Sequence, residues 1–190
     1  MKNKLRMLGK IAILCLLVSA TSCGSSKKEG EGSDKSPSAE SNVKKFSSTD
    51  GKFMIHFDAA PQETNQKIPT PAGDIDTHMF VYQKSATEAY QVAYSDFPSE
   101  VVKAQNPDTL LMNSMNGAAS NVKAKITEQK KMEVNGNPGI WFLCNADQLY
   151  FTYKIILVGN RLYQINMIRD GSPASEESVK GFMDSFELVK

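Results

Sequence analysis

The chain has 190 residues, with 22 Lys and Arg against 21 Asp and Glu and a formal net charge of +1. That balance excludes the clustered positive footprint on which nucleic-acid binding depends. Three cysteines are present, Cys15, Cys23 and Cys144, and the fate of the first two follows from the N-terminal segment.

Lys2, Lys4, Arg6 and Lys10 form a basic stretch without an acidic residue, and residues 11–20 form an apolar run. Ser19, Ala20, Thr21 and Ser22 then lead into Cys23. This is the layout of a secretory signal. A helix crossing a bilayer needs about 20 apolar residues, so the segment reads as an address rather than a transmembrane anchor. Ala20-Thr21-Ser22-Cys23 resembles the lipobox of bacterial lipoproteins, with Ala20 where leucine is usual. The resemblance implies removal of residues 1–22 and diacylation of Cys23, which becomes the first residue of the mature chain. The alternative is an ordinary signal peptide cleaved near Ser22, leaving Cys23 as a free thiol. Each buried acyl CH₂ contributes about 0.8 kcal/mol and a single chain binds only reversibly, so two or three chains on one cysteine are needed to hold a domain at a membrane. Gly24, not Asp, follows Cys23. Under the sorting rule of Gram-negative lipoproteins, that resemblance implies an outer-membrane destination, on the periplasmic or the surface face. Glu29 and Glu31 are in keeping with surface export.

Residues 24–45 are Ser, Gly, Lys and Glu with Val43 as the only large apolar side chain. Such a segment cannot bury enough surface to order itself and is expected to be a flexible tether. Loss of the four basic residues of the signal takes the 22 Lys and Arg to 18 against 21 acidic residues, a net charge of −3. Cys15 leaves with the signal and Cys23 is acylated, so Cys144 has no partner for an intrachain disulfide. It follows the apolar run Ile140-Trp141-Phe142-Leu143, where a buried, inert thiol is expected.

Residues 46–190 suit one domain with one core. Phe53, Ile55 and Phe57 alternate along residues 52–57, as in a half-buried strand. Pro61, Pro69 and Pro71 punctuate the next stretch. Residues 75–83 predict a second strand, with Ile75, Thr77, Met79 and Val81 on one face and Asp76, His78, Phe80 and Tyr82 on the other. Residues 89–97 predict a third, stopped by Pro98. Asn106-Pro107 opens a helix, Asn as N-cap and Pro in the first turn, and Leu111, Met115, Ala118 and Val122 follow at helical spacing. Residues 126–134 read as a polar edge strand and residues 135–139 (NGNPG) as a turn. Residues 140–144 and 150–158 are β-prone runs. Gly159-Asn160 joins the latter by a tight hairpin to residues 161–169, which carry apolar residues on both faces, as a central strand does. Ser172-Pro173 repeats the capping device, and Val179, Phe182, Met183 and Phe186 recur at helical spacing, with Glu176 and Glu177 in the first turn. The expectation is an α+β domain, a mainly antiparallel sheet of about six to seven strands flanked by two main helices.

The opening Phe46-x-x-x-Asp50-Gly51-Lys52-Phe53-x-Ile55-x-Phe57, the inner Tyr90-x-Val92-x-Tyr94, and the closing Gly159-Asn160-Arg161-Leu162-Tyr163-Gln164-Ile165 with Phe182-Met183-Asp184-Ser185-Phe186 resemble the PsbP-like superfamily over residues 46–190. Asp58 stands where relatives often carry proline. The resemblance implies a central antiparallel sheet flanked by helices. Its members include an extrinsic photosystem subunit, a Ran-binding transport factor and many bacterial lipoproteins, mostly accessory or binding proteins with no shared catalytic set.

Few constellations carry chemistry. His56-x-Asp58 and Asp76-x-His78 each place an imidazole and a carboxylate on one strand face. With Asp74 nearby, a His/His/Asp metal site would follow if the strands pair; the plainer reading is two surface or half-buried imidazoles. Tyr82, Tyr90, Tyr94, Tyr150, Tyr153 and Tyr163 would line an aromatic cleft or pack as cross-strand pairs. Met112 and Met115 read as helix core, not copper ligands. The sequence carries no Gly-x-Ser-x-Gly and no His-Glu-x-x-His. Gly30-x-Gly32 lies in the tether, without the preceding strand that a nucleotide loop needs. The reading is a non-catalytic, lipid-anchored envelope protein, without metal or cofactor, that acts through a protein partner. Two alternatives stand beside it: a small-ligand or lipid carrier, and a weak hydrolase using His56 or His78 with a nearby Asp.

Overall fold

The structure, a computed structural model, describes residues 45–70 and 73–189. The predicted signal segment, Cys23 and all but the last residue of the predicted tether lie outside the described residues.

Among the described residues, ten strands and three helices follow one another. They are β1 (Phe46–Ser48), β2 (Phe53–Ile55), β3 (Gln62–Thr70), β4 (Gly73–Ser85), β5 (Glu88–Asp96), α1 (Ser99–Lys103), α2 (Pro107–Asn121), β6 (Lys125–Val134), β7 (Asn137–Ala146), β8 (Leu149–Val158), β9 (Arg161–Asp170), α3 (Glu176–Phe182) and β10 (Glu187–Leu188). A 3₁₀ turn, Met183–Ser185, joins α3 to β10. Seven strands form one sheet in the order β3-β4-β5-β9-β8-β7-β6, and β1-β2-β10 form a second. Every pairing is antiparallel. The α+β architecture is as expected, and β9, apolar on both faces, is the central strand.

Side-chain alternation divides the core in two. On β9, Tyr163, Ile165 and Met167 face a cluster built with Phe53, Ile55, Phe57, Phe80, Tyr90, Val92, Phe182 and Phe186. Leu162 and Ile168 face the other way, into a cluster with Leu110, Leu111, Met115, Phe142, Cys144, Phe151, Tyr153 and Ile155. Period-two alternation puts these on opposite faces of the large sheet. The small sheet and α3 therefore cover one face, and α2 lies against β6, β7 and β8 on the other. Cys144 is fully buried, and desolvation pushes its thiol up to about 11, as its apolar run predicts.

Local chemistry explains the element ends. The Asn106 side chain accepts from the Asp108 N–H at 2.9 Å and Pro107 opens α2, as predicted. The second capping prediction fails: Ser172-Pro173 precedes α3, and the cap is Ser175, whose Oγ accepts from the Ser178 N–H. The Pro173 carbonyl is taken by Arg169 Nη1 at 3.1 Å. The turn predicted over residues 135–139 is shorter. Asn135 and Gly136, with φ of 52° and 78°, make a two-residue hairpin loop, and Asn137 already pairs with Val134. Two strands, β3 and β10, were not predicted, while β1, carrying Phe46, pairs with β2 as the hairpin that the opening motif resembles. Gly51, in the β1–β2 connection, has to be glycine. A Cβ there would lie 2.6 Å from the Phe53 ring and 2.7 Å from Ser48 Oγ.

Lys154 is the unexpected core residue. It lies on β8 beside Ile156 and is only 8 % exposed. Its ammonium donates to the Met183 carbonyl at 2.8 Å and to Asp184 Oδ1 at 3.0 Å, fixing the 3₁₀ turn on the sheet. Lys154→Met keeps the stem and removes the donor, leaving the Met183 carbonyl unanswered. The expected loss is about 1–3 kcal/mol, read as a lower urea midpoint with unchanged slope. An unchanged midpoint would mean that solvent replaces the ammonium.

Candidate functional site

The two histidines are not brought together. His78 stacks on Tyr94, its cross-strand neighbour, at 4.6 Å with the rings 9° from parallel. Asp76 pairs with Lys67 at 2.9 Å. His56, beyond the end of β2, pairs instead with Asp58, Nε2 to Oδ1 at 3.3 Å. The His/His/Asp metal set considered from sequence is therefore not assembled, and no group of three or more metal-ligating side chains occurs among the described residues.

The tyrosines mostly pack as cross-strand pairs. Tyr82 meets Tyr90 edge to face at 6.2 Å, and Tyr94 meets Tyr163 at 6.4 Å. The second pair belongs to a structural clamp. Arg161 binds Asp96 through two bonds of 2.7 Å, covers the Tyr94 ring at 4.5 Å and donates to the Asp50 carbonyl. Tyr163 donates to the Gly51 carbonyl at 2.8 Å. These contacts fasten the β1–β2 connection to β5 and β9. The Arg161 guanidinium bonded to it holds the Asp96 carboxyl below the usual range.

A cleft of about 320 Å³ opens between α3 and the ends of β2, β4 and β5, lined by His56, Asp58, Lys84, Tyr90, Glu177, Ser178, Gly181 and Phe182. Tyr90 and Phe182 stack at 4.6 Å and form its inner wall, which carries α3 onto the sheet. A chain of polar contacts runs along the rim. Asp58 bridges His56 and Lys84, whose Nζ lies 3.2 Å from Asp58 Oδ2. Lys84 Nζ donates to Tyr90 Oη at 3.0 Å, and the Tyr90 hydroxyl donates to Glu88 Oε1 at 2.7 Å. Arg169 lies 3.9 Å from the other Glu88 oxygen. The hydrogen bond to Tyr90, aided by Asp58, raises the Lys84 pKa against a smaller opposing effect of burial. Burial raises that of Tyr90, with Lys84 opposing it and Glu88 supporting it. At neutral pH the pair is thus an ammonium and a neutral phenol.

Sequence reasoning found the His56-Asp58 half of this rim, whose members are two residues apart. It missed Lys84 and Tyr90 as neighbours and treated Glu177 only as a helix-terminal acid. One signal was available: Gly181 sits inside a helical pattern, where glycine costs about 1 kcal/mol relative to alanine and invites another explanation. In the structure it leaves one side of the cleft open.

The class is therefore an α+β domain in which two sheets and a C-terminal helix enclose a polar cleft beside one core. Within that class the fold is PsbP-like. The solution structure of cyanobacterial PsbP from Synechocystis sp. PCC 6803 superposes with a TM-score of 0.53 at 12 % identity, covering 82 % of this chain and 98 % of that one. A crystal structure from Bacteroides thetaiotaomicron VPI-5482 aligns with a TM-score of 0.39 at 11 % identity, over 77 % of this chain and 48 % of that one. No family model and no curated protein matches the chain by sequence.

Proposed function

We propose that the chain is a non-catalytic lipoprotein of the cell envelope, anchored through acyl chains on Cys23, whose domain acts by binding a protein partner. The observation that carries this reading is the state of the cleft's polar groups. The Lys84 ammonium is engaged by Asp58 and Tyr90 at 3.2 and 3.0 Å, and its raised pKa keeps it a donor rather than a base. A preformed set of mutually oriented charges suits recognition, because little reorganisation is needed when a partner arrives. The charged rim favours a partner over the carrier alternative, which requires a closed apolar cavity. The hydrolase alternative rests on His56 and Asp58 alone, since His78 is placed elsewhere.

The test is crosslinking in intact cells followed by affinity purification of the tagged, lipidated full chain. A reproducible envelope protein is expected, its capture reduced by substitutions around the cleft. Robust turnover by the purified protein, abolished by His56→Gln, would overturn the proposal in favour of the enzyme.

A further inference from the structure

Resting on that reading, we infer that the cleft receives one basic side chain, a lysine or arginine, of the partner protein. The charges facing the cleft come from four places: His56 and Asp58 after β2, Lys84 on β4, Glu88 on β5 behind Tyr90, and Glu177 on α3. All but one are answered. Asp58 lies between His56 and Lys84 at 3.3 and 3.2 Å, and Glu88 takes the Tyr90 hydroxyl and faces Arg169. Glu177 has no hydrogen-bond or ion-pair partner among the described residues, yet it lines the cleft. The remaining charge is thus a carboxylate, and the complementary ligand group is a cation.

Size and shape restrict which cation. A volume of about 320 Å³ is at the lower end of ligand pockets, enough for one long side chain but not for a large cofactor. Phe182 and the bare backbone of Gly181 line the side next to Glu177. Lysine and arginine carry an apolar stem ending in a charge, and they lay the stem on apolar surface while the head finds a polar group. An alkyl stem along Gly181 and Phe182 brings an ammonium or guanidinium to Glu177. Substituting Gly181 is a clean way to block this path, because an added Cβ meets no heavy atom within 4 Å and leucine favours the helix more than glycine.

The experiment titrates the isotope-labelled full chain, held in lipid nanodiscs, with four probes followed by amide NMR. These are Nα-acetyl-lysine amide, Nα-acetyl-arginine amide, the uncharged Nα-acetyl-norleucine amide and free butylamine. Saturable shifts at Tyr90, Ser178, Gly181 and Phe182 are expected with the lysine and arginine probes, and binding about fivefold weaker with norleucine. Glu177→Gln is expected to weaken binding about fivefold, in line with the modest worth of exposed ion pairs, and Glu177→Lys and Gly181→Leu to abolish it. Equal binding of norleucine, binding of butylamine alone, or no saturable shift at these amides overturns the inference. Repeating the in-cell capture with Gly181→Leu separates the two claims. A partner retained by this variant refutes the cleft as its seat and leaves the binding reading intact, whereas failure of the wild type to capture any partner refutes the binding reading itself.

Discussion

Phe53→Ala is expected to lower the unfolding free energy by about 3–5 kcal/mol, the usual range for emptying a buried aromatic site. Phe53 is fully buried. Its ring meets Phe46 at 6.1 Å, Phe80 at 5.4 Å, Tyr163 at 6.3 Å and Phe186 at 5.6 Å. These neighbours come from β1, β4, β9 and the segment before β10, so one side chain joins both sheets to the C-terminal region. The cavity left by alanine cannot collapse easily, because two of its walls are strands of the large sheet. The cost therefore sits at the upper part of the range, a large share of the roughly 5–15 kcal/mol that a domain commands. Urea unfolding of the purified full chain should show a much lower midpoint, with Phe53→Leu in between. A loss below about 1 kcal/mol would mean that the small sheet is peripheral to stability, contrary to the packing.

Cys23→Ala is expected to abolish acylation and to release the protein from membranes altogether. The effect is all or none because the diacylglyceryl group would attach through the Cys23 sulfur, and any third chain would be added to the amine of the same residue. Neither the net charge of −3 expected after signal removal nor the mixed-sign tether supplies a polybasic patch to compensate. No described helix is long and apolar enough to cross a membrane. Metabolic labelling with a fatty-acid analogue, followed by membrane fractionation, should mark and sediment the wild type and not the variant. Equal labelling of both would refute lipidation at this residue.

What the sequence revealed depended on how much of each element is buried. β8 and β9 carry long apolar patterns because both their faces meet a core, β5 buries Tyr90, Val92 and Tyr94 in one, and their positions were legible within a residue or two. β3 was not, because it packs no apolar face. Its one large apolar residue apart from Pro69, Ile68, is 37 % exposed. The hairpin with β4 specifies it instead, and pairing partners leave no trace in local periodicity. The cap of α3 was misplaced because Ser172 and Ser175 are chemically equal. In the structure Ser175 Oγ takes the Ser178 N–H, while the Pro173 carbonyl is taken by Arg169. The cleft was half legible for the same reason. His56 and Asp58 are neighbours in the chain, whereas Lys84, Tyr90 and Glu177 meet them only after β4 pairs with β5 and α3 docks through Phe182.

The small sheet has a consequence for how the protein is made. Its middle strand, β2, leaves the ribosome long before one of its two partners: Met54 pairs with Glu187, and Phe53 with Leu188. The Val189 N–H then donates to the Lys52 carbonyl at 2.9 Å, and Lys45 pairs with Glu187 beside them. Closing so long a loop is entropically costly and slow, and it requires that β10 already exist. A nascent or prematurely terminated chain therefore holds the Phe53 side of its core open, uncovered by Phe182, Met183 and Phe186. Exposed apolar surface of that kind is what chaperones bind and proteases find. The Phe53 side of the core is thus hidden only by residues that lie far from it along the chain.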